Sequence, residues 1–305
     1  MMVQGAILAG ALLLDAALGE PGWLWHRLPH PAVLMGRLIA ACDRRFNCGE
    51  ARKARGVAVM AALGFGALAL GAAIAALPLG WLWQLLIAAM LLAQRSLADH
   101  VQAVADALRL GPGDGRRAVA RIVGRDTTEM DETAVARGAI ESAAENLSDG
   151  VVAPALWFLA FGLPGLLLYK ITNTADSMIG YRTERYRDFG WAAARFDDLL
   201  NLVPARITAI LIAVAHGRFN AAGVVLRDAP LHRSPNAGWP EAAMALCLGV
   251  QLSGPRSYDG VIRPYPVVYP EGRAVIGPAE IDAAVRALWR TWRLLLVLAV
   301  VAALI

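Results

Sequence analysis

The run from Gly56 to Leu77 holds no charged residue, and it constrains the chain more than any other stretch. A helix of about twenty apolar residues matches the hydrocarbon core of a bilayer. Pro78-Leu79-Gly80 follows as a tight turn, and Trp81 to Ala93 reads as a second apolar segment, with Trp81 and Trp83 as interface anchors. Together they predict a helical hairpin in a membrane. Composition agrees: of 305 residues, 57% are hydrophobic and 18% charged, with a mean hydropathy of +0.49. Soluble domains lie nearer about 45–50% apolar and about a quarter charged. The expected fold is one all-α, polytopic integral membrane domain over residues 1–305, with roughly four to six membrane-embedded helices and sizeable cytoplasmic loops.

The remaining apolar segments are less regular. Met1 to Glu20 lacks the positive start of a signal peptide and carries Asp15, so it reads as a retained first membrane helix. Leu294 to Ile305 is short for a span unless its helix starts near Leu288. Val203 to Ala215 is short and carries Arg206. Val151 to Leu168 is long enough, but Pro154, Gly162, Pro164 and Gly165 interrupt it. Seven Arg/Lys between Trp23 and Arg55 place that loop in the cytoplasm. The tight hairpin then returns Arg95 to Gly150 to the same side. A single span over Val151 to Leu168 would put the Arg-rich stretch after Tyr169 outside. A broken, re-entrant segment pivoting at Gly162 to Gly165 keeps it inside. Irregular backbone at membrane depth needs protein or a water-filled cavity around it, which suits a site, so the broken form is favoured. Localisation is expected in the cytoplasmic (inner) membrane, with the active site facing the cytoplasm. Ser253 to Pro278 reads as loop with a short hairpin, and Glu241 to Leu252 as a helix on or dipping into the membrane.

The net charge is +4 and nearly all cations are Arg, with Lys53 and Lys170 the only lysines. Interfacial Arg suits lipid headgroups and phosphates. No basic run interleaves with aromatics, so a nucleic-acid partner is not expected. Cys42, Cys48 and Cys247 form no CxxC pair, which argues against a disulfide framework or a zinc site. P-loop, Rossmann, HExxH and GxSxG signatures are all missing.

Ionisable residues crowd the two ends of Arg125 to Arg206. In a helix from Glu132 to Ser148, Arg137, Glu141, Glu145 and Ser148 share one face, with Asp149 just beyond, and Ile140, Ala143 and Leu147 the other. By itself this is an amphipathic helix with a solvated face. The preceding cluster adds Asp126, Glu129 and Asp131, and many carboxylates near a few Arg suit a hard cation with phosphate oxygens. Asn173, Asp176 and Ser177 have helical spacing. Arg182 and Arg185, three apart, would close on one phosphate if helical; the bland alternative is a juxtamembrane basic patch. Asp197-Asp198 reads as the start of the next helix, where negative charge suits the dipole. An intramembrane carboxylate such as Asp15 is costly and marks function. His26 and His30 follow it, and His232 to Pro240 forms a polar turn fit to cap a cleft.

These residues, taken in order, resemble the cobalamin-biosynthesis CobD/CbiB family, the adenosylcobinamide-phosphate synthases. The likeness runs through Asp15, Gly19-Glu20-Pro21, His30-Pro31-Ala32-Val33-Leu34-Met35-Gly36, Arg125-Asp126-Thr127 and Glu141 to Gly150. It continues through Asn173 to Tyr181, Arg185-Tyr186, Asp197-Asp198, Asn201, Pro204-Ala205-Arg206 and Ser234 to Pro240. Glu20 departs from the usual Asp but keeps the charge.

The resemblance implies a membrane enzyme joining the propionate carboxylate of adenosylcobyric acid to (R)-1-aminopropan-2-ol or its O-phosphate, with ATP consumed as its Mg²⁺ complex and no permanently bound cofactor. On that basis Asp126, Glu129, Glu141, Glu145 and Asp149 are expected to hold Mg²⁺–ATP, with Glu145 also close to the catalysis. Arg182 and Arg185 would hold phosphate, and Asp176 or Glu184 would take the proton of the amine. Asp15, His30, Asn146, Asn173, Ser177, Tyr181 and Asn236 complete the expected substrate contacts. Expected partners are these substrates, membrane lipid, and either a second copy of the chain or other late corrin-pathway membrane enzymes. A regulatory membrane protein of the AmpE type and a transporter are the competing readings.

Overall fold

The structure, a computed structural model, describes residues 1–258 and 261–305. In chain order the helices are α1 (Met2–Leu18), α2 (Gly22–Trp25), α3 (Pro31–Phe46), α4 (Arg52–Ala75), α5 (Gly80–Leu91), α6 (Gln94–Leu110), α7 (Pro112–Val119) and α8 (Glu132–Leu147). A π-helical turn, Ser148–Val152, leads into α9 (Ala153–Ile179). Then come α10 (Trp191–Leu200), α11 (Leu202–Ala215), α12 (Ala222–Asp228), α13 (Gly238–Leu248) and α14 (Pro278–Leu304). Among the described residues four short strands, β1 (Leu252–Ser253), β2 (Arg256–Tyr258), β3 (Val261–Arg263) and β4 (Val267–Val268), form two antiparallel pairs, β1 with β4 and β2 with β3. The tract expected to be loop with a short hairpin therefore carries one pair inside another.

Among the described residues, four helical runs are long and apolar enough to cross a membrane: Arg52–Ala75, Gly80–Leu110, Glu132–Ile179 and Pro278–Leu304. The bent pair α10–α11 makes a fifth if it is one broken span. The chain is an all-α polytopic membrane protein. The last helix starts at Pro278, well before Leu288, which resolves the shortness of the apolar C-terminal run.

The chain folds into two compact units, each built from separated stretches. One comprises Met1–Ala93, Ala153–Leu202 and Leu298–Ile305; the other comprises Gln94–Val152 and Val203–Val297. In the first, α4 packs along α9 through a seam of small residues. A Cβ on Gly71 would lie 2.5 Å from Pro164 Cα, one on Gly64 would touch Leu168, and one on Gly56 would overlap the Phe189 carbonyl. Close approach of this kind replaces the hydrophobic drive that helices lack in lipid. Around it pack Ile39, Met60, Ile171, Ala175, Ile179 and Phe189. Phe65 and Leu70, off the seam, are exposed, as a lipid-facing surface should be.

The break expected in Val151–Leu168 is present. Gly162 has φ 64° and ψ −154°, a conformation that only glycine adopts readily. The bend is sharp: the Trp157 carbonyl oxygen lies 2.6 Å from where a Cβ on Gly165 would sit. Eight residues of straight helix would separate those positions by about 12 Å. Trp157 Nε1 donates to the Leu200 carbonyl at 3.2 Å and Tyr169 reaches neighbouring Asn201, so both arms of α9 pack on the end of α10.

In the second unit, α8 is the buried element. Asp131 caps its N-terminus, accepting from the Ala134 N–H at 2.7 Å. Its amphipathic reading needs correction, because α6, α7 and α13 enclose it. Glu141 and Ser148 are buried on the face expected to be solvated, and Glu145 alone of that set is exposed.

Candidate functional site

The first unit gathers a polar cluster where α9 meets α10. Asn173 Nδ2 donates to Asp197 Oδ1 at 3.3 Å, and Asn201 Nδ2 donates to Asp197 Oδ2 at 3.0 Å. The Tyr169 hydroxyl donates to Asn201 Oδ1 at 3.0 Å. Tyr169, Asp197 and Asn201 are all buried, and a buried carboxylate persists only when its oxygens are hydrogen-bonded in this way. Half-buried Asp176 lies within electrostatic reach of Asp197 and Asp198. Arg195 pairs with Asp198 at 3.0 Å, and Arg182 acts on the same carboxylate. Interacting carboxylates in a half-buried setting are where enzymes place proton-transfer groups. Asp197 and Asp198 occupy the last turn of α10, so the helix-start role expected for them is corrected: the helix begins six residues earlier, at Trp191.

Gly180 ends α9. A Cβ there would overlap the Asp176 carboxylate, and one on Gly190 would overlap the Ile179 carbonyl, so the ends of the 180–190 loop meet tightly. The loop exposes Tyr181, Arg182, Glu184 and Arg185, and Ser177 is exposed just before it. The shared phosphate grip of Arg182 and Arg185 on a helix is corrected: they lie in the loop and turn to different partners. Arg185 donates to Asp43 Oδ2 at 2.6 Å, while Asn47 Nδ2 joins Asp43 Oδ1 at 2.8 Å and the Arg185 carbonyl at 3.2 Å. Asp43 is the anchor that the sequence reading missed. Its signal is spacing: Met35, Ile39 and Asp43 fall one turn apart on the stripe of α3 that faces the core.

Asp15 is buried in α1. His30 caps α3: its Nδ1 accepts from the Ala32 N–H at 3.2 Å, and its Nε2 donates to the Met90 carbonyl at 3.0 Å. Trp25 meets the ring edge-on at 4.5 Å. Burial pushes His30 below its usual 6.5, and the Lys170 charge adds to this, against the Glu20 charge and the Met90 carbonyl. His30 also lines a cavity of about 360 Å³ with Glu20, Val33, Met90, Leu92 and Lys170.

In the second unit two of the expected metal ligands, Glu141 and Asp126, are held by partners within the chain. Glu141 Oε2 accepts from Arg125 Nη2 at 2.9 Å, and Oε1 accepts from the Ser253 N–H at 2.6 Å. Arg137 donates to the Ser253 carbonyl at 3.1 Å. Two α8 side chains thus pin both backbone groups of a serine held at φ 59°. Asp126 is exposed, and its carboxylate closes a turn by accepting from the N–H and hydroxyl of Thr128, which holds it below the usual carboxylate range. Glu129 is exposed, Asp149 is half-buried in the π-helical turn, and Asn146 donates back to the Ser142 carbonyl at 2.9 Å. Among the described residues no group of three or more His, Cys, Asp or Glu side chains is placed to hold a metal ion. The five carboxylates therefore do not converge as a ligand set. Asn236 is buried, accepting from Arg206 at 3.5 Å, and Arg206 lies over Trp239 at 4.4 Å. The polar turn before α13 closes on itself, with Ser234 Oγ accepting from the Asn236 and Ala237 N–H groups.

The family profile described as CobD/Cbib protein matches residues 8–288. The Cobalamin biosynthesis protein CobD of Rhizobium meliloti (strain 1021) is 53% identical over 296 residues, covering 92% of this chain and 90% of that protein. The protein of the same name from Brucella suis biovar 1 (strain 1330) is 47% identical over 322 aligned positions, covering 100% and 98%. That from Rhodobacter capsulatus is 50% identical over 260 residues, covering 83% of each. No solved structure matches. The profile spans most of the chain and relatives near half identity align along nearly all of it, so the chain belongs to the CobD/CbiB family of cobalamin biosynthesis.

Proposed function

We propose that the protein forms an amide between adenosylcobyric acid and (R)-1-aminopropan-2-ol O-phosphate, driven by ATP. A carboxylate is a poor electrophile. Attack of its oxygen on the γ-phosphorus of ATP releases ADP and gives an acyl phosphate. The amine nitrogen then attacks the acyl carbon, phosphate leaves with its bridging oxygen, and the nitrogen loses a proton to a base. The observation that carries this reading is the half-buried Asp176 set beside Asp197 and Asp198, with Arg182 and Arg195 acting on Asp198. Asp176 is the base in this account, ahead of Glu184, which sits on the exposed loop. Mg²⁺ arrives with the nucleotide. Such an ion keeps several waters and needs only one or two protein carboxylates. Glu141 does not meet that demand, because Arg125 and the Ser253 N–H already hold its two oxygens.

The test is product formation by the purified full chain in detergent, with adenosylcobyric acid, Mg²⁺–ATP and the amine with or without its phosphate. The wild type makes the amide only with ATP, and Asp176→Asn lowers its rate at least ~100-fold, within the range for a general base. Absence of ATP-dependent product with either amine overturns the reading. The site is assigned to the cytoplasmic side of the inner membrane: a reporter fused after Tyr169 gives no external signal, and an external signal there contradicts the assignment.

A further inference from the structure

The cavity in the first unit lies outside the proposed chemistry, and its lining is selective. Its walls are apolar (Val33, Met90, Leu92) apart from Glu20, His30 and Lys170. His30 offers no charge, because Nδ1 accepts from the Ala32 N–H, Nε2 donates to Met90, and burial holds the ring neutral above its lowered pKa. The charged side chains of the lining are then one carboxylate, Glu20, and one ammonium, Lys170, among apolar neighbours. Such a lining discriminates for a ligand that carries both charges on a short hydrocarbon. The carboxylate meets an amine, the lysine binds phosphate as a point charge, and the apolar wall covers the linker. The volume, about 360 Å³, is near the lower end for small-molecule sites and far too small for a corrin.

We propose that this cavity binds an aminoalkyl phosphate, with Glu20 facing the ammonium and Lys170 the phosphate. The inference rests on the reading above that an amino-alcohol phosphate is consumed, and it gives that substrate a capture site in the first unit, which it leaves before its amine reacts beside Asp176. The same chemistry occurs in the phosphatidylethanolamine headgroup, so the experiment separates the two sources.

Equilibrium dialysis of the detergent-purified full chain against 1-aminopropan-2-ol O-phosphate, without ATP or corrin, reads the site directly. Glu20→Gln and Lys170→Gln each weaken binding about 10-fold or more, as loss of a charge-assisted contact should. The pattern crosses over with truncated ligands: the amine lacking phosphate is indifferent to Lys170→Gln, and 2-propyl phosphate, lacking the amine, is indifferent to Glu20→Gln. Lys170→Arg restores phosphate affinity. Glu20 is exposed, so its variant tests the site without disturbing the fold. No binding by the wild type, or equal affinity in all variants, overturns the inference. Displacement by short-chain phosphatidylethanolamine at equal affinity makes this a lipid-headgroup site and overturns the substrate assignment. Amide synthesis is measured separately: product formed by a chain whose cavity variants bind normally sinks the inference and leaves the function standing. Crossed binding in a chain that forms no product does the reverse.

Discussion

Glu141 shows how a residue's surroundings decide between two roles that its sequence position allows. As one of several carboxylates along a helix face it suits a cation; in place, both its oxygens are taken, by Arg125 and by the Ser253 N–H. Its side chain and that of Arg125 are 6% and 8% exposed. Removing one member of such a pair strands the other without water, at about 3–5 kcal/mol. Glu141→Ala is therefore expected to lower thermal stability in detergent by that order, with no rescue from added Mg²⁺. Glu145→Ala, on the exposed side of the same helix, leaves stability near wild type. The individual ionisable residues were legible in the sequence, but their partners were not. Arg125 lies sixteen positions from Glu141 and Ser253 more than a hundred, so no local spacing announces either contact. Asp43 is the converse: its place on an apolar stripe was readable, and a carboxylate among core residues implies a partner.

At the scale of elements, the glycines of α4 separate what pattern shows from what packing adds. The uncharged run gives the helix; the spacing of Gly56, Gly64 and Gly71 gives the seam against α9 and its following loop. Gly71→Val should destabilise the chain by about 1–3 kcal/mol by overpacking against the Pro164 backbone. Gly66, with nothing within 4 Å of an added Cβ, should accept alanine with no loss and a small gain in helix propensity. Unfolding midpoints of the two variants in detergent give the comparison, and equal loss in both would contradict the seam. The break in α9 was readable because Gly and Pro punctuate the apolar run at Gly162, Pro164 and Gly165. The non-helical 180–190 loop was not, since its closure depends on Gly180 and Gly190 fitting against Asp176 and Ile179 at a distance that only the fold defines.

For the whole molecule, composition and hydropathy identify a helical membrane protein, and ordered motifs identify its family before any contact is known. Two compact units interleaved along the chain are not legible in that way, because each is assembled from stretches far apart in sequence. The central functional claim is activation of a carboxylate by ATP for attack by an amine. Its most direct measurement uses adenosylcobyric acid carrying ¹⁸O in the reacting carboxylate, with Mg²⁺–ATP and the amino-alcohol phosphate. The acyl-phosphate route moves one labelled oxygen into the inorganic phosphate released with each amide formed. Label appearing in AMP, or amide accumulating with no label transferred from the carboxylate, would contradict it.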